Sequence, residues 1–129
     1  MTNDCNFGIQ GGLVRLCPNA RFLQIRGVVP MDRYHLMVGY SGGPGVLLLE
    51  TNSTMQVESF MVGRDANGFG RMLVDGGSCT AWGSLESGVL VGERSPAELI
   101  VTRGGSVTIS NYLHVGAFSA GSVIVTKAS

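Results

Sequence analysis

The chain has 129 residues, enough for one domain with a sizeable core, and its 44% hydrophobic and 14% charged residues argue against a disordered chain. Nine basic and nine acidic residues cancel, and no Lys/Arg run forms a stripe, which excludes a nucleic-acid footprint. The 20 glycines follow no Gly-X-Y period, which excludes collagen. With valine, threonine and serine abundant, they point to strands joined by tight turns.

In chain order, the start (MTNDCNFGIQGG) lacks the basic region and apolar stretch of a signal peptide, and no later run approaches a membrane-spanning helix. Residues 1–35 read as a degenerate N-terminal coil or cap. In it Phe7-Gly8 stands for a corner step, Leu13-Val14-Arg15-Leu16 for an apolar strand, and Arg21 to Ile25 for an alternating one. Arg15, Arg21, Arg26, Arg33 and Tyr34 are its candidate anchoring residues. Cys5, Cys17 and Cys79 form no CxxC pair. They read as buried or semi-buried thiols, with a Cys5–Cys17 bridge as the alternative.

Residues 36–129 read as repeats. Four segments open alike, LMVG at Leu36, FMVG at Phe60, VLVG at Val89 and LHVG at Leu113. Their glycines Gly39, Gly63, Gly92 and Gly116 are 24, 29 and 24 residues apart. After each glycine comes a short polar loop and then an apolar strand, at Val46 to Leu49, Met72 to Val74, Leu99 to Val101 and Val123 to Val125. A second turn (TNS, DGGS, RGGS) leads to an alternating stretch at Thr54 to Glu58, Cys79 to Trp82 and Val107 to Ser110. The longer interval is expected to carry two extra residues in its first loop and three before its last strand.

Three short strands and three turns make one coil of a right-handed parallel β-helix. About five coils stacked ~4.8 Å apart would pair each coil with those above and below. A β-sandwich of short strands is the competing fold, but it does not require one Val-Gly step to recur at near-fixed spacing. The glycines, with Gly8 as a fifth copy, are expected at coil corners that need φ > 0 or close backbone approach. If the valine of each step points inward, Met37, Met61, Leu90 and His114 form an outward row, a possible contact stripe. The reverse facing puts that row inside and the valines out.

The stretch LIVTRGGSVTISNYLHVGAFSAGSVIVT, Leu99 to Thr126, resembles the repeat associated with autotransporter passengers and PEP-CTERM surface proteins, and the likeness covers about residues 36–126. It implies a β-helical, non-catalytic stalk or surface module, and brings no catalytic residues with it. The lack of an export signal shifts the expectation to a virion component made in the host cytoplasm, such as a capsid decoration, cement or tail protein. That component is expected to self-associate, as a trimer, on a larger protein assembly. The alternative is an extracellular surface adhesin or carbohydrate-binding module with glycan ligands.

A polysaccharide-cleaving enzyme would need two carboxyls at a set distance. Asp65, Asp75, Glu93 and Glu98 are the acids available in loops, and they read better as solvated turn residues. Asp65-Ala66-Asn67-Gly68 lacks the further oxygen ligands and closing glutamate of a calcium loop. Neither a metal nor a cofactor is expected, nor a catalytic residue, membrane insertion or nucleic acid.

Overall fold

The computed structural model describes residues 2–3, 7–9, 11–24, 36–39, 44–63, 68–83, 89–116 and 119–126. The described residues hold fifteen strands and no helix. They are β1 (Thr2–Asn3), β2 (Phe7–Ile9), β3 (Gly12–Leu16), β4 (Arg21–Gln24), β5 (Leu36–Val38), β6 (Pro44–Leu49), β7 (Thr54–Val57) and β8 (Phe60–Val62). After these come β9 (Phe69–Asp75), β10 (Ser78–Ala81), β11 (Val89–Val91), β12 (Ala97–Thr102), β13 (Ser106–Ile109), β14 (Leu113–Val115) and β15 (Gly121–Val125).

Every third strand joins the same sheet, and every pairing is parallel. Sheet 1 is β1-β4-β7-β10-β13, sheet 2 is β2-β5-β8-β11-β14, and sheet 3 is β3-β6-β9-β12-β15. The chain is a three-sided parallel β-solenoid of five rungs. β2, β3 and β4 continue the same sheets as the later repeats.

Strand alternation sets the core. In sheet 3 the columns Leu47–Met72–Leu99 and Leu49–Val74–Val101 point inward and are buried. Sheet 1 supplies Phe22–Met55–Cys79 and Val57–Ala81, and sheet 2 supplies Leu36–Phe60–Val89 and Val38–Val62–Val91. In the last rung Leu113 and Val125 continue these columns but are 41% and 72% exposed.

The corner after sheet 2 explains the recurring glycine. Gly39, Gly63, Gly92 and Gly116 have φ between 73° and 81°. Each donates its N–H to the carbonyl that precedes the same corner one rung earlier, Ile9, Val38, Val62 and Val91 respectively, at 2.8 Å. A second small-residue column opens sheet 3, Gly45–Gly70–Ala97–Gly121. A Cβ at Gly45, Gly70 or Gly121 would lie 2.2–2.5 Å from the carbonyl oxygen of Ile9, Val38 or Val91, the acceptors of those corner bonds. The loops between the two columns differ in length, which conceals the second column in the sequence.

The register corrects several expectations. Gly8 is no corner: β2 pairs Phe7 with Leu36, Gly8 with Met37 and Ile9 with Val38, so Gly8 sits mid-strand. Val46 does not align with Met72. It pairs with Arg71, and Leu47 is the inward partner of Met72. The unbroken apolar run Val46–Leu49 carries no parity signal, so only pairing reveals which residues face in. The longer repeat gains its length between β10 and β11, where seven residues separate Ala81 from Val89 and two separate Val57 from Phe60.

Cys79 is buried in the core, and burial pushes its thiol up to about 12, whereas Cys17 is free and exposed. The expectation of a buried or semi-buried Cys17 is therefore corrected, because Cys17 lies in the turn after β3. Cys5 lies outside the described residues. A thiol-reactive probe at pH 8 should label Cys17 in the native protein and Cys79 only after denaturation. Rapid native labelling of Cys79 would contradict the packing of sheet 1.

Candidate interaction surface

Each sheet has an outer face, and the three faces differ. In sheet 2 the residues Met37, Met61, Leu90 and His114 do form one column. The exposed stripe expected there is corrected: Met37, Met61 and Leu90 are 6%, 2% and 7% exposed, and only His114 is exposed. The reverse facing fails too, since Val38, Val62 and Val91 are fully buried. Strands β5, β8 and β11 are buried on both faces. His114 lies against Tyr112, with ring centroids 4.8 Å apart.

Sheet 1 presents one polar column outward, Arg21–Thr54–Ser78–Ser106, and a second, Leu23–Gln56–Thr80–Thr108, that is polar after Leu23. One step further along lie Glu58, Trp82 and Ser110. The Trp82 N–H bonds the Val57 carbonyl and the Ser110 N–H bonds the Ala81 carbonyl.

Sheet 3 carries an apolar column on its outer face as well as an apolar inner face. Leu48, Leu73, Ile100 and Ile124 form one outward column that begins at Arg15, and Leu13 and Val46 open the next, which continues as Arg71, Glu98 and Ser122. Leu13 and Ile124 are 57% and 43% exposed, and the residues between are half-buried. Phe69, Pro96 and Ala120 border the same face at a shallow depression. An all-parallel sheet is ordinarily covered on both faces, and its strands then read as continuous apolar runs. The runs VLLL, MLV, LIV and VIV are such text, and no described strand packs over the outer face they create.

Ion pairs between successive rungs rim this apolar column. Arg15 Nη2 donates to Glu50 Oε1 at 2.7 Å, and Arg71 Nε donates to Glu98 Oε1 at 2.7 Å. Arg103 engages both carboxylate oxygens of Asp75. Its hydrogen bonds hold the Asp75 carboxyl below the usual range and raise the Arg103 guanidinium. A depressed carboxylate stabilises the fold above its unfolded value, about 3.9, and that contribution is lost as pH falls through the lower folded value. Between pH 6 and pH 3 the wild type should therefore lose more thermal stability than Asp75→Asn. Equal losses would remove the pair from the acid response.

The acids considered for catalysis thus separate. Asp75 and Glu98 are tied to arginines on the outside of sheet 3, Glu93 sits at the corner after β11, and Asp65 lies outside the described residues. Of the anchoring candidates, Arg15 lies on the outer face of sheet 3 and Arg21 opens β4 in sheet 1, so the two do not form one cluster. Arg26, Arg33 and Tyr34 lie outside the described residues. Among the described residues no group of three or more His, Cys, Asp or Glu is placed to hold a metal ion, and no helix is long and apolar enough to cross a membrane.

Fold and faces together define a three-sided parallel β-solenoid with an outward apolar column on sheet 3 that no described strand covers. Comparison with protein families, curated proteins and solved structures finds no match to this chain.

Proposed function

We propose that this chain is a non-enzymatic structural and interaction module that self-associates through the outer face of sheet 3. The supporting observation is the outward column Leu48–Leu73–Ile100–Ile124, apolar and with no described strand over it, on a parallel sheet. A second copy is the occupant that suits it. Arg15, Arg71 and Arg103 are already neutralised within the chain, so the face offers little net charge to a strongly charged partner. Two such sheets can pack face to face about 10 Å apart, and an isologous contact closes on itself.

A flat single face favours a two-fold pair over the trimer expected from the sequence. The larger assembly we favour is a virion, which can incorporate a stiff module with one adhesive side many times over. Size-exclusion chromatography with light scattering tests the self-association. The expected result is a closed oligomer, with twice the chain mass for the two-fold pair, and a monomer at micromolar concentration would overturn the reading.

A further inference from the structure

We propose that the outer face of sheet 1 binds a neutral, flat polysaccharide, with Trp82 as the stacking residue. Trp82 is the only tryptophan of the chain and is 41% exposed. It is anchored at the end of β10 by its own backbone bond to Val57, so its backbone position is fixed by the sheet. The neighbours it has on this face are polar: Gln56, Thr80 and Thr108 form the adjacent column, and Glu58 and Ser110 flank it one rung below and above.

These groups repeat at about 4.8 Å between rungs and at about 6.6–7 Å between outward residues along a strand. The result is a planar, pre-positioned grid of hydroxyl and amide donors and acceptors beside one aromatic face. A pyranose ring offers the complementary surface, an apolar C–H face for the indole and equatorial hydroxyls for the grid. A β-linked chain of such rings is extended and flat like the sheet.

The chemistry of the face disfavours other ligands. Among the described residues the charges on this face are Arg21, two rungs from Trp82, and Glu58 beside it, which disfavours phosphates or an acidic polymer. A protein partner would draw on a cluster of apolar anchors, whereas the described outward residues next to Trp82 are polar and the exposed Leu23 lies two rungs away. The site is on a different sheet from the proposed self-association face, so either can fail without the other.

The test uses the full chain. Titration with cellohexaose and chitohexaose should shift the emission of the single tryptophan, and a gel containing hydroxyethylcellulose should retard the protein. Trp82→Ala should weaken retardation at least about thirtyfold, the scale of losing an aromatic anchor. Trp82→Phe should restore part of it, and Thr80→Ala/Thr108→Ala should weaken it with tryptophan emission unchanged in the free protein. Circular dichroism confirms the fold of each variant. Three results would each overturn the proposal: no response to either oligosaccharide, equal retardation of wild type and Trp82→Ala, or binding confined to anionic polygalacturonate.

Discussion

Replacing Gly92 with alanine is expected to cost about 3–5 kcal/mol of stability, whereas the same change at Gly116 should cost about 1–2 kcal/mol. Both residues have positive φ, 81° and 74°, so both substitutions carry the left-handed penalty of an L side chain. They differ in what lies above them. A Cβ at Gly92 would sit 2.7 Å from the Ala120 carbonyl oxygen and 2.8 Å from the Gly121 Cα, both backbone atoms of the next rung. At Gly116, in the last rung, the nearest atom would be 3.3 Å away in its own loop. The larger cost is a substantial fraction of the total stability of a small domain. Urea unfolding of the two variants measures it. Equal losses would mean that φ alone, and not the stacking of rungs, demands glycine at this corner.

The second large effect concerns association rather than folding. Ile100→Arg or Leu73→Arg should convert the oligomer to a monomer while leaving the unfolding midpoint of the isolated chain nearly unchanged. Both side chains point away from the core, so an arginine there meets solvent in the free chain. In the packed pair each variant would bring two unpaired guanidinium groups into an apolar contact, and an uncompensated buried charge costs several kcal/mol. Ser106→Arg, exposed on sheet 1, serves as the control and should not change the mass. Dissociation by all three variants would point to a general charge effect and remove sheet 3 as the interface.

Much of the fold was legible because a stacked corner constrains the sequence at a fixed point in each coil. A positive φ with the backbone of a neighbouring rung within 3 Å of a Cβ demands glycine at Gly39, Gly63 and Gly92. Gly116 repeats the step in the last rung, so the four reveal the coil period directly. The second column, Gly45, Gly70 and Gly121, answers to the same close approach, but the variable loops before it erase the spacing. Gly8 misled because Phe7-Gly8 imitates the Val-Gly step, and only pairing with Met37 shows that it is mid-strand.

The faces were harder to read. Sheet 2 strands have three residues, too few to show alternation when both faces are buried, so Met37, Met61 and Leu90 could be assigned to either side. Sheet 3 carried the opposite clue in its unbroken apolar runs, which signal burial on two faces. Those runs read as strands, and only the register separates their outer residues from the core. Arg15 and Arg21 are close in sequence and reach different sheets, because the turn at Cys17–Ala20 lies between their strands. Trp82 stood at the end of an alternating stretch, where parity already made it the outward neighbour of inward Ala81.

Cross-linking of introduced cysteines tests the account most directly. In a Cys5→Ser/Cys17→Ser background, which keeps only the buried Cys79, Ile100→Cys should form a covalent dimer in high yield with a short bismaleimide, since a two-fold contact over sheet 3 brings the two copies of this column together. Ser106→Cys, on sheet 1, should remain monomeric. Failure of Ile100→Cys to cross-link, or equal yields at the two positions, would contradict self-association through sheet 3.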